Sequence, residues 1–139
     1  MPTISRPATQ RSPGSTAGRF TRERRAREMR GRLAELAAAA LLMLKGYRIL
    51  ERRHRSKLGE IDLVAVRGKR LAFVEVKQRG GRELAHAAIT PRQAGRVRAA
   101  AERWVWSHPA YRGHEIGLDA VLVTRLLRPC HVEQALQVW

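Results

Sequence analysis

Gly59-Glu60-Ile61-Asp62-Leu63-Val64-Ala65 and, after a short gap, Phe73-Val74-Glu75-Val76-Lys77 are the two runs on which the fold turns. Both alternate and are rich in β-branched and large apolar residues, the pattern of strands. Arg67-Gly68-Lys69-Arg70 between them is short, polar and contains a glycine, so the pair reads as a β-hairpin. Pairing Arg67 with Arg70 sets Asp62 opposite Glu75 and Glu60 opposite Lys77. Directly opposed residues have Cβ atoms about 4.5–5.5 Å apart, a separation at which like charges destabilise a sheet. Two facing carboxylates in the most apolar part of the chain therefore need a counter-charge. A hard divalent cation supplies it, since Mg²⁺ takes oxygen ligands and is held by one or two carboxylates. Two plainer readings stand beside this one: Glu60–Lys77 as an ordinary cross-strand pair on a solvated face, and Asp62 at a frayed strand end. A bulge or an odd loop would break the register and the argument with it.

Composition narrows the partners. The 139 residues suffice for one core but not two, and the formal net charge is +16. Such a charge points to a polyanion, nucleic acid before membrane surface. Nine arginines against two glutamates in residues 1–32 leave +9 on the remainder, so the folded part is itself basic. Lysines occur only at 45, 57, 69 and 77, so Lys77 stands out in an arginine-biased chain. Cys130 is alone, which rules out a disulfide framework and fits a reducing cytoplasm. The five histidines are scattered without zinc-like spacing, and Leu33–Leu44 is too short to span a bilayer.

Residues 1–20 are rich in Pro, Ser, Thr, Gly and Arg, and are expected to be a disordered basic tail ahead of one domain over 21–139. The same composition suits a basic arm on nucleic acid or an organelle transit peptide. A helix is expected from Thr21 to Gly46, with Leu33, Leu36, Ala37, Ala40, Leu41 and Leu44 as its core stripe. Gly31, Glu35, Ala38 and Leu42 lie on the opposite face, where small residues flank one carboxylate. Tyr47–Arg55 reads as the first strand; Arg52, Arg53 and Arg55 form either a phosphate-contacting rim or a solvated edge. Arg79, just past Lys77, can meet a phosphate from a mobile connection, 78–90. Thr90 and Pro91 open a second helix whose buried stripe is Ala94, Val97, Ala101, Trp104 and Val105, ending near Ser107. Trp106 lies off that stripe and suits either base stacking or packing against another surface. Leu118–Thr124 reads as a buried strand in which Asp119 caps or pairs with a basic neighbour, and a short final strand is expected within 131–139. The fold class is α/β: a single domain with a mixed central sheet flanked by helices in the order α-β-β-β-α-β.

Asp62 followed by Glu75-Val76-Lys77 resembles the core signature of the PD-(D/E)XK nuclease superfamily. The fuller wording, Gly59 to Ala65 joined to Phe73-Val74-Glu75-Val76-Lys77-Gln78-Arg79, resembles the YraN-type family of small, largely uncharacterised bacterial proteins described as endonuclease-like. The resemblance runs from about Gly31 to the C-terminus. It implies a restriction-endonuclease-like core, a nuclease activity and a bacterial cytoplasmic setting. Gly31-x-x-x-Glu35 matches the family's first-helix pattern, which implies that Glu35 reaches toward the metal site. The chain departs from the family twice. Arg92 stands where a lysine is usual, which keeps a charge but not a proton-transfer role. Gly117 stands where an arginine precedes Asp119.

On this resemblance the expected catalytic set is Glu35, Asp62, Glu75 and Lys77, with Asp62 and Glu75 holding Mg²⁺ or Mn²⁺ and the Val76 carbonyl as a further ligand. Lys77 would position the attacking water, and Glu60 would orient Lys77. Arg52, Arg53, Arg55, Arg79 and Arg92 would meet nucleic acid, most plausibly DNA, with branched or damaged DNA as substrate. Two other classes fit the same charge and fold: a nucleic-acid-binding protein without turnover, and a subunit completed by a second copy or another protein.

Overall fold

Five strands pair in chain order among the described residues: β1 (Arg48–Arg55), β2 (Glu60–Arg67), β3 (Arg70–Gln78), β4 (Glu115–Val123) and β5 (Pro129–Val132). Helix α1 (Gly14–Leu44) precedes them, and α2 (Pro91–Ser107) with a short 3₁₀ turn at Pro109–Tyr111 joins β3 to β4. The computed structural model describes residues 14–78 and 89–136, and the chain divides into two units, Met1–Arg30 and Gly31–Trp139. The β2–β3 ladder runs in the expected register from Arg67↔Arg70 to Leu63↔Val74. Gly68, first of the two turn residues, has φ +56°, which suits a type II′ turn and which a side chain would resist. β3 and β4 are parallel neighbours with α2 as their crossover; the other pairings are antiparallel. The expected mixed α/β sheet in α-β-β-β-α-β order is the one observed.

The helices lie on opposite faces of the sheet. Ala34, Ala38, Ala39 and Leu42 of α1 pack on Leu63, Ala65, Ala72, Val74, Val121 and Val123. Ala94, Val97, Ala100, Ala101 and Trp104 of α2 pack on Val64, Val66, Leu71, Phe73, Leu118, Ala120 and Leu122. The α2 stripe, its Thr90 cap and its end at Ser107 follow the sequence reading; Thr90 and Gln93 complete a capping box.

The reading of α1 is overturned on two points. The helix starts at Gly14, not Thr21, and Thr21 Oγ1 instead donates to the Ala17 carbonyl inside it. Gly14–Phe20, expected as tail, are therefore helical. Its buried face is also the reverse of the one expected: Ala38 and Leu42 are fully buried, whereas Leu33, Leu36 and Leu44 are 41, 48 and 87% exposed. Both faces of Leu33–Leu44 are apolar, so periodicity alone does not choose between them. Small side chains let the helix axis come close to the sheet, and that contact wins. The helix closes as expected at Gly46, at φ +92°, where Tyr47 N–H bonds the Leu42 carbonyl and Gly46 N–H the Met43 carbonyl. The last strand, expected within 131–139, instead runs over Pro129–Val132 and is followed by turns at 133–136; the expected tail through residue 13, the connection over 79–88 with Arg79, and residues 137–139 lie outside the described residues.

Candidate functional site

Strict alternation along β2 breaks at Asp62. Ile61 joins the apolar cluster under α2, and Leu63 joins the cluster under α1. Asp62 thus stands at a sheet end where groups from both faces converge. Its Oδ2 accepts a hydrogen bond from Val76 N–H at 2.8 Å, which ties the end of β2 to β3 beyond the last ladder pair. Asp62 and Glu75 line one cleft, close enough for the charge of Asp62 to act on Glu75. Burial raises both pKa values, and the charge of Asp62 helps to push Glu75 up to about 7. Lys77 Nζ lies 3.3 Å from Glu75 Oε1 and partly offsets that rise.

Glu35 reaches this end of the sheet from α1, close enough for its charge to raise Asp62 further. Its carboxylate is already engaged: Arg53 Nε donates to Glu35 Oε2 at 2.8 Å. The expected pairing of Glu60 with Lys77 does not form, because the β2–β3 ladder stops at Leu63. Glu60 instead aligns with Arg55 on β1, 3.9 Å away, and Lys77 takes Glu75. Arg52 and Arg55 are exposed on the edge strand β1, and Arg92 is exposed in the first turn of α2.

α2 supplies residues that the sequence did not single out. Gln93, Arg96 and Val97 line a cleft of about 150 Å³ together with Glu60, Asp62 and Glu75. Gly59 makes this approach possible: a Cβ there would stand 2.8 Å from the Arg96 carbonyl oxygen. A glycine just ahead of a carboxylate-bearing strand was the available sign of such a close approach. Arg92, by contrast, does not line the cleft.

Asp119 is remote from these groups in role, and the expectation that it pairs with a basic neighbour holds. It is fully buried and receives Arg70 Nη1 and Nη2 at 2.6 and 2.8 Å, His131 Nε2 at 2.8 Å and Gln134 N–H at 2.9 Å. Burial would raise its pKa, but these donors outweigh that and hold it at about 2. A Cβ at Gly117 would collide with the Arg70 guanidinium, so the glycine leaves room for an arginine delivered by β3. Trp106 is 75% exposed, with the Arg112 guanidinium 5.0 Å from its ring.

The sequence model of the uncharacterised protein family UPF0102 matches residues 34–123. The chain belongs to the UPF0102 family. A UPF0102 protein of Rhodopseudomonas palustris strain BisB5 is 49% identical over 113 residues, 81% of this chain and 86% of that protein. A UPF0102 protein of R. palustris strain BisB18 is 44% identical over 132 residues, 95% of this chain and 96% of that protein. One from Bradyrhizobium sp. strain ORS 278 is 44% identical over 130 residues, covering 94% and 90%. Glu35, Asp62, Glu75, Lys77 and the α2 side of the cleft all lie within the region matched by UPF0102.

The donor chemistry accommodates a divalent cation. Among the described residues no group of three or more His, Cys, Asp or Glu side chains is arranged to hold one. Mg²⁺ does not require such a group, because it keeps several waters and is bound through one or two carboxylates plus substrate phosphates. Asp62 and Glu75 supply that minimum. Among the described residues no helix is long and apolar enough to cross a membrane.

Proposed function

We propose that this protein is a metal-dependent nuclease that hydrolyses DNA phosphodiesters, with Asp62 and Glu75 holding Mg²⁺ or Mn²⁺. The observation that carries the reading is the half-buried pair Asp62 and Glu75, which line one cleft with Lys77 Nζ 3.3 Å from Glu75 Oε1. The resemblance of Asp62, Glu75 and Lys77 to the PD-(D/E)XK signature supports it, as does the +16 charge. Asp62 and Glu75 would hold the cation, which would supply polarisation of a phosphoryl oxygen and acidification of a water at neutral pH. Lys77 positions that water and offsets the charge that builds on the phosphoryl oxygens. Arg96 and Gln93, which line the same cleft, would receive the phosphate. Branched or damaged DNA is the proposed substrate class.

Lys77→Ala separates catalysis from binding. It removes one of 28 Lys and Arg residues, so DNA affinity falls only slightly. Metal binding survives, since both carboxylates are intact. Single-turnover cleavage of branched DNA falls about 10²-fold or more, as expected when one preorganised electrostatic group is lost. Cleavage that persists in the variant excludes this role for Lys77. Absence of metal-dependent cleavage by the unaltered protein on linear, single-stranded and branched DNA turns the assignment to a nucleic-acid-binding protein without turnover.

A further inference from the structure

Arg53 combines three features. Its backbone is left-handed, with φ +54°, in the middle of an edge strand. Only a few per cent of non-glycine residues adopt positive φ, and arginine gains nothing locally from it. The neighbouring pairs Arg52↔Leu63 and His54↔Ile61 put Arg53 level with Asp62 on the adjacent strand. Its guanidinium is held at 2.8 Å by Glu35, a carboxylate only 16% exposed, and lies within the field of Asp62. An unfavourable backbone conformation thus presents a positive charge to the Asp62 end of the sheet. Backbone strain of this kind persists where the surrounding structure enforces it, and it recurs at functional sites.

We propose that Arg53 is the resting counter-ion of the site: it occupies Glu35 and screens Asp62, and a divalent cation must bind against it. The inference rests on the metal-dependent reading of Asp62 and Glu75. Like charges at this end of the sheet repel, an effect that the 42% exposure of the Arg53 side chain moderates but does not remove. While Glu35 is paired to Arg53 it contributes nothing to holding the cation. When a cation enters at Asp62 and Glu75, the attraction that holds Arg53 at this end of the sheet weakens. An incoming phosphate then becomes the better partner for its guanidinium, because a planar fork suits phosphate oxygens. Arg53 is in this sense a positioning residue. It keeps the metal affinity of the free protein low and raises it when DNA arrives to take the arginine.

Calorimetric titration of Mg²⁺ into the full chain without DNA tests this, using the unaltered protein, Arg53→Gly and Arg53→Lys. Glycine accepts φ +54° without strain, so Arg53→Gly keeps the strand; its melting curve without metal checks that. The expected result is Mg²⁺ binding about tenfold tighter in Arg53→Gly and near the unaltered value in Arg53→Lys, which retains the charge. A merely structural role for Arg53 predicts the opposite sign, because a loosened site binds the cation less well. Unaltered protein that binds Mg²⁺, with an Arg53→Gly variant that binds it no more tightly, overturns the counter-ion role and leaves the metal-dependent reading standing. Binding seen only in Arg53→Gly supports the counter-ion role. No binding by any of the three proteins overturns both.

Discussion

Two carboxylates of this chain show how environment sets opposite acid–base behaviour. Glu75 has its pKa raised from 4.5 to about 7, first by burial and then by Asp62. Between those values the folded protein keeps a proton that the unfolded chain has lost, so stability from this group is full below about pH 4.5. It is lost as pH rises through 7. Asp119 behaves the other way: its pKa is lowered from 3.8 to about 2, so its contribution is present above pH 4 and lost as pH falls toward 2. The shift corresponds to about 2 kcal/mol. Thermal melts from pH 3 to 8 in a chelator should therefore show an acid limb below pH 4 and a decline above pH 5. Glu75→Gln should flatten the decline and leave the acid limb. On the proposed reading, Mg²⁺ should raise the melting temperature most above pH 7, where Glu75 no longer retains its proton. A decline that survives Glu75→Gln in full would place its origin elsewhere.

At the scale of elements, α1 and α2 both lie on the sheet but were not equally readable. Trp104 and Val97 mark the α2 face without ambiguity, and Trp104 is further fixed by a 2.6 Å hydrogen bond from Nε1 to Glu51. Glu51 is itself held by His54 at 2.8 Å, so β1 and α2 are pinned through one carboxylate. In α1 the alanine face goes inward and the leucine face outward. Ala38→Leu should therefore overpack the contact with the sheet and cost about 1–3 kcal/mol. Leu36→Gln, on the exposed face, should stay within about 0.5 kcal/mol. Urea melts of the two variants check both values. The reverse ranking would mean that the helix sits on its leucine side. This rotation also determines where Glu35 points, since Glu35 shares the buried side with Ala38 and Leu42.

At the scale of the whole chain, a formal charge of +16 coexists with a small cleft lined by Glu60, Asp62 and Glu75. β1 presents Arg48, Arg52, Arg53 and Arg55 at one edge of the sheet, and α2 carries Arg92, Arg96, Arg98 and Arg103. On the proposed reading these side chains meet phosphates and release counterions, so affinity for DNA should depend little on sequence and fall steeply with salt. A plot of log affinity against log salt for two unrelated duplexes should give parallel lines. Replacing both Arg52 and Arg55 by alanine should lower the slope by about two, one for each phosphate that is no longer neutralised. Affinity that does not change between low and high salt would remove the nucleic-acid reading altogether.

The hairpin, its register from Arg67↔Arg70 inward, the capped α2 helix, the buried β4 strand and the mixed sheet were legible from order and periodicity alone. These depend on local chemistry: Gly68 in the turn, Thr90 and Pro91 at the cap, and runs of β-branched residues. Asp62 and Glu75 do line one cleft as the hairpin order suggested, but the ladder stops short of them at Leu63↔Val74, and the Glu60–Lys77 pair expected from the same register does not form. Other features followed only from tertiary structure. Which face of α1 is buried depends on how closely a helix can approach a sheet, and no residue of α1 encodes that by itself. Arg70 reaches Asp119 because parallel pairing lays β3 beside β4 and Gly117 leaves the space. Gln93 and Arg96 face the carboxylates because Gly59 lets a helix from much later in the chain approach the backbone. Arg53 holds Glu35 through a left-handed turn of the backbone that no composition or period announces. Local sequence determines elements and registers, whereas the meeting of side chains far apart in the chain depends on how those elements pack.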